Sequence, residues 1–171
     1  MARESFYSVK DLYEHTIVIN KSKFITTLTP IENYDDALEK IKAISKKYSD
    51  ATHNCYAFIS NESASEQRFS DDGEPQGTAG VPMLDTLKKR KVCKTLAVVT
   101  RYFGGVKLGA NGLVGAYSSS VAQALDNAIL VKNEWADIAE ISLGYGEYKK
   151  VEEQCKDAGG QVVSVEYDRD V

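Results

Sequence analysis

The sequence predicts an α+β domain followed by a smaller βαβ unit, and three observations carry that reading. Short β-branched and apolar runs alternate with stretches of helical periodicity. The apolar run within residues 95–102 leads through a glycine-rich turn into a helix rich in small residues. Past residue 135 the charge balance changes: residues 1–135 carry 17 Lys+Arg against 16 Asp+Glu, whereas residues 136–171 carry 4 against 9. The boundaries are therefore 1–135 for the main domain and 136–171 for the smaller unit.

A chain of 171 residues is long enough to bury a core, and 43% hydrophobic with 27% charged residues excludes wholesale disorder. No apolar run reaches the ~18 residues of a membrane span, so no membrane partner is expected. The first residues lack the apolar stretch of a signal peptide. Cys55, Cys93 and Cys155 form no C-x-x-C pair and read as reduced thiols, which places the chain in the cytoplasm.

Taken in order, residues 15–29 read as two strands broken at Asn20 and Lys21. Asn33 suits the N-cap of a helix whose apolar stripe is Ala37, Leu38, Ile41, Ile44 and Tyr48. A third strand runs from His53 to Ile59. Residues 60–80 read as one long polar loop, and loops of that length are usually functional. Thr78 is placed to cap a helix through Pro82, Met83, Leu84 and Leu87. Residues 95–102 are a central strand, and a helix runs from about Asn111 to Ile129. In the tail, residues 138–144 and 161–167 read as strands around a helix marked by Tyr148, Val151 and Cys155, ending at Gly159-Gly160. This is one βαβ half of a ferredoxin-like unit. The reading expects a truncated unit, or one completed by a second copy as a homo-oligomer.

Two segments carry the chemistry. Arg101-Tyr102-Phe-Gly104-Gly105-Val-Lys107-Leu-Gly109-Ala-Asn111-Gly112 joins strand to helix. Glycines there permit a sharp turn and close approach of a ligand to backbone N–H groups, and the helix N-terminus favours an anion. Between Asp85 and Asp126 no acid occurs, while Lys88, Lys89, Arg90, Lys91, Lys94, Arg101 and Lys107 do. That basic stretch attracts anionic partners, nucleic acid among them. The bland alternatives are tight helix-on-strand packing for the glycines and favourable helix C-terminal charges for residues 88–91. The turn is neither a P-loop nor G-x-G-x-x-G.

The second segment holds Asp71, Asp72, Gly73, Glu74, Gly77, Thr78 and Gly80. Its carboxylates lack EF-hand spacing, and acids bonding backbone N–H groups or a neighbouring arginine is the commoner arrangement. With the turn it is expected to wall a cleft, His53 standing at the mouth. A His53–Cys55 dyad shares one strand face but at ~6.6 Å is too far apart for direct hydrogen bonding. No catalytic residue, metal ligand set or cofactor is assigned.

Three segments together, residues 50–57, 70–82 and 99–117, resemble the signature of the IMPACT family, whose bacterial members are called YigZ-like. The resemblance covers the whole chain. It implies a two-layer α/β sandwich like that of a small-subunit ribosomal protein and domain IV of elongation factor G, then the first half of a ferredoxin-like domain. It also implies partners in translation: RNA, the ribosome or a translation factor. Eukaryotic members regulate translation by competing for an activator of the amino-acid-starvation kinase, and they carry an additional RWD domain. Two positions depart from the family pattern, Asn111 in place of glycine and Gly115 in place of a frequent arginine. Asn111 suits a left-handed or capping role. Without the arginine, Arg101 and Lys107 remain as the turn's cations.

The functional expectation is a binding or regulatory protein of translation acting through the glycine turn. An enzyme cradling a small-molecule or nucleotide phosphate over residues 108–120 is the second reading. A purely protein–protein regulator is the third.

Overall fold

The computed structural model describes residues 4–167. It divides into two compact units between Trp135 and Ala136.

The first unit is α+β. Its sheet has five strands in the order β2 (Tyr13–Ile19), β3 (Ser22–Pro30), β6 (Thr95–Tyr102), β4 (His53–Ile59) and β5 (Gln67–Ser70), every neighbouring pair antiparallel. β2 and β3 form a hairpin. Its two-residue turn is Asn20 and Lys21, both at positive φ (46° and 64°), the turn geometry that matches strand twist. β6 lies at the centre, between β3 and β4. Leu96, Ala97, Val98 and Val99 are all buried, so this strand is covered on both faces.

That double burial changes the layer count. Leu96, Val98 and Phe58 pack under α1 (Tyr34–Lys47), while Ala97, Val99, Cys55, Ala57 and Ile59 pack under α2 (Gly80–Lys89) and α3 (Gly109–Asn127). The expected two layers are thus three, with the sheet between α1 and the α2–α3 pair. An apolar run without alternation has no face to give to water.

Asn33 caps α1 as expected, its side chain accepting from Asp36 N at 3.0 Å. The Asp36 carboxylate in turn accepts from Glu32 N. Residues 60–80 are not wholly loop, because β5 (Gln67–Ser70) adds an edge strand to β4. Its polar sequence, Gln-Arg-Phe-Ser, gives no two-period signal because the strand lies at the sheet edge and is largely exposed. The sequence reading also omits a two-stranded ladder of β1 (Phe6–Val9) and β7 (Leu130–Asn133). It depends on pairing across more than 120 residues, which no local pattern reveals.

In the second unit, α4 (Tyr148–Asp157) occupies its expected place. It ends in a Schellman closure: Gly159 has φ 78°, and Gly160 N donates to Cys155 O at 2.8 Å. The strands expected at 138–144 and 161–167 are absent among the described residues. Ile138, Ile141, Val163 and Tyr167 are exposed there. In a split βαβ arrangement the two strands are separated by a third, so neither can supply the other's backbone partners.

Candidate functional site

Strand register sets Phe24, Arg101 and His53 side by side across β3, β6 and β4. All three face the α2–α3 layer, and the segment between β5 and α2 folds over them. Asp71 to Gly80 is held there by its own acids. Asp71 accepts Gly77 N at 2.8 Å through one carboxylate oxygen, and Ala79 N and Gly80 N at 3.1 and 2.8 Å through the other. The start of α2 is therefore capped by Asp71. The expected cap, Thr78, instead donates its hydroxyl to Pro75 O at 2.6 Å. Gly80 packs where a Cβ would lie 2.9 Å from the Phe69 ring.

Asp72 ties the same segment back to β4. Its carboxylate accepts Asn54 N at 2.6 Å, and its carbonyl accepts from His53 Nδ1–H at 2.8 Å. A carbonyl can only accept, so Nδ1 carries the hydrogen, and Nε2 is turned toward Glu74. Gly73, at φ 87°, places its backbone over the His53 ring.

At the centre is Glu74, 8% exposed, meeting Arg101, 5% exposed. Arg101 Nη1 donates to Glu74 Oε1 at 2.6 Å, and the Tyr117 hydroxyl donates to the same oxygen at 2.8 Å. Oε2 lies 3.7 Å from His53 Nε2. Arg101 Nη2 donates to Ser22 Oγ at 3.3 Å, while its buried Nε has no hydrogen-bond partner among the described residues. The guanidinium lies 5.5 Å from the centroids of both Phe24 and Phe103. Short bonds, two aromatic faces and near-complete burial make this a desolvated ion pair.

The Cys55 thiol donates to Asp71 O at 2.9 Å and sits 3.4 Å from the Tyr117 hydroxyl. Burial, with the nearby Glu74, Asp72 and Asp71 charges adding to it, pushes the thiol pKa up to about 12. Burial likewise drives the Tyr117 phenol upward. Both stay protonated and serve as donors, and Cys55 has no thiolate for nucleophilic attack.

The glycine turn divides by role. A Cβ on Gly104 would lie 2.0 Å from the Lys21 carbonyl, so the backbone itself packs against the β2–β3 hairpin. Gly104 N also donates to Ser22 Oγ at 3.2 Å. Gly105 and Gly109 take positive φ, 87° and 73°, and turn the chain into α3. Lys107 and Asn111 are exposed and Gly112 is half-buried. Asn111 lies inside the first turn of α3 and is neither its cap nor left-handed. Leu108 is the N-cap, and no side chain caps α3. Tyr102 alternates to the opposite sheet face from Arg101 and donates to Asp50 at 2.8 Å.

The structure thus brings His53, Asp71, Asp72, Gly73, Glu74 and Arg101 into one network and sends Tyr102 elsewhere. Arg101 is spent on Glu74, and the two segments meet in a packed seam at that pair. Sequence reasoning passed over Ser22 and the role of Tyr117. Tyr117 closes the long segment 99–117, and that was its only signal. The hairpin also carries Lys21 and Lys23, both exposed beside the turn, and only strand pairing brings these cations there.

Comparison with known proteins gives consistent relatives. The model of the Impact N-terminal domain matches residues 20–125. IMPACT family member YvyE of Bacillus subtilis (strain 168) is 43% identical over 167 residues, covering 98% of this chain and 77% of that protein. IMPACT family member YigZ of Escherichia coli (strain K12) is 34% identical over 151 residues, covering 87% and 74%. A crystal structure of a hypothetical protein superposes with a TM-score of 0.71 at 31% identity, over 96% of this chain and 81% of that one.

Two outcomes follow from the buried network. Glu74→Gln leaves the Arg101 charge buried without its counter-ion and lowers unfolding free energy by about 3–5 kcal/mol in urea titrations. A loss below about 1 kcal/mol contradicts the desolvated pair. Iodoacetamide near neutral pH labels Cys155 in the native protein and reaches Cys55 only after unfolding. Native labelling of Cys55 contradicts the protonated, buried thiol.

Proposed function

The chain belongs to the IMPACT family, and from that premise we propose that it is a regulatory binding protein of translation whose contact surface is the turn at residues 103–112. The observation that carries this reading is the state of the α3 N-terminus. It is exposed, no side chain caps it, and no acid lies in its first turn. Lys107 stands beside it without a salt-bridge partner among the described residues, and Lys21 and Lys23 add charge from the hairpin. Open backbone N–H groups with cations around them suit a phosphate oxygen. Exposed Phe103 suits stacking on a base. The surface is preorganised, because Gly104 is locked against the hairpin and Arg101 is locked to Glu74. RNA, alone or within the ribosome, is the partner this chemistry favours.

One observation favours a protein partner instead. Phe103, Val106 and Val114 are all exposed around the same turn. Apolar side chains beside a cation also suit a translation factor. Co-purification with and without nuclease separates the two, since a direct protein partner survives the treatment.

Titration of a labelled single-stranded RNA against rising salt tests the main reading. Affinity falls steeply with salt, and Lys107→Glu weakens binding about tenfold while reducing the salt slope by about one. Absent binding, or binding indifferent to salt, contradicts it.

A further inference from the structure

A second basic surface lies between the helices α2 and α3, apart from the turn. α2 ends on Lys88 and Lys89, and Arg90 and Lys91 follow. Across from them α3 presents Ser118, Ser119 and Ala122, small enough to leave a hollow of about 250 Å³. A second hollow, about 370 Å³, adjoins it and shares Lys89 and Arg90. That one is floored by Leu125 and Leu130 and edged by Tyr7. From Ser118 to Leu125 is about 10 Å along the α3 axis, which makes this an elongated groove.

Among the described residues, two of the four cations are paired and two are not. Arg90 pairs with Asp126 at 2.8 Å and Lys91 with Glu4 at 3.0 Å, both at the surface. Lys88 and Lys89 form no salt bridge among the described residues, and the Ser118 and Ser119 hydroxyls have no hydrogen-bond partner there. Asp85, one turn before Lys89, forms no salt bridge with it either. Part of this positive charge complements the C-terminal end of the α2 dipole. That role needs neither a hollow nor free hydroxyls opposite it.

We propose that this groove binds a single-stranded RNA segment, with phosphates held by Lys89 and the Ser118–Ser119 hydroxyls and a base against Tyr7 and Leu130. The two ends differ in chemistry as a nucleotide's two ends do. Cations and hydroxyl donors suit the backbone, while an aromatic edge over aliphatic side chains suits a base face. A lone inorganic phosphate would use only the first hollow. An anionic lipid surface would use the same cations, and binding to anionic vesicles is therefore one arm of the test.

The test is anisotropy of a labelled single-stranded RNA, about 12 nucleotides long, against the full chain. Four variants are compared: Lys89→Glu, Ser119→Asp, Tyr7→Ala and, at the turn, Lys107→Glu. Circular dichroism confirms that each is folded. Lys89→Glu and Ser119→Asp are expected to weaken binding about tenfold each, Lys89→Glu also lowering the salt slope by about one. Tyr7→Ala weakens binding with an unchanged salt slope. Wild-type affinity in folded Lys89→Glu overturns the groove, while a loss in Lys107→Glu in the same experiment leaves the turn reading standing. The reverse result keeps the groove and removes the turn. No RNA binding by the wild type, or Lys89-dependent binding to anionic vesicles in preference to RNA, overturns the proposal.

Discussion

The buried pair between Arg101 and Glu74 organises everything around it. Arg101 stands near the C-terminal end of the central strand, buried, where its neighbours across the sheet are Phe24 and His53. Placing a guanidinium there costs several kcal/mol of desolvation. Glu74, Tyr117, Ser22 and two aromatic faces offset that cost. Because the charge cannot be left bare, the segment carrying Glu74 must close over the sheet. That closure delivers Asp71 to the start of α2 and Asp72 to β4. The loop is rigid because its acids are answered, one by one, with backbone N–H groups or a cation.

The same pair decides what is left for binding. A turn beginning with arginine looks from the sequence like a turn with two cations of its own. Burial removes one of them, leaving Lys107 on the turn and the hairpin lysines beside it. The exposed chemistry is therefore milder than a phosphate cradle of the P-loop kind: open N–H groups, a few cations and several apolar side chains. Such a surface suits contact with a larger partner more than capture of a small anion. The protonated Cys55 thiol points the same way, since the most nucleophile-like residue near the seam is held as a hydrogen-bond donor.

Much of the fold was legible where local rules act. Asn20-Lys21 marked the hairpin, Asn33 marked α1, and the apolar run before Arg101 marked the central strand. The same run contained the correction to the layer count, because four consecutive buried residues need cover on both faces. What was hidden depended on distance in sequence or on edge position. β1 meets β7 across the whole domain, and β5 is a polar edge strand. At the site, His53 and Asn54 meet Asp72 through contacts set by strand register and loop closure, which composition alone does not announce. Nor was the partner of Arg101 legible: Glu74 is one of three nearby acids, and only register and closure select it. Thr78 had the right chemistry to cap α2, but Asp71, a charged acceptor reaching three N–H groups, took that role. In the tail the helix was legible and the strands did not form, since extended backbone becomes a strand only when a neighbour is present.

The central claim is that Arg101 is held by Glu74 beneath the surface and does not touch the ligand. It is tested most directly by the RNA affinity of the doubly substituted Arg101→Met, Glu74→Met protein, in which apolar side chains replace the pair. Removing both charges together leaves no ion uncompensated, so the protein folds. Its RNA affinity is expected within about threefold of the wild type, a difference under about 1 kcal/mol. A folded double variant that has lost RNA binding places Arg101 in the contact itself and contradicts the account.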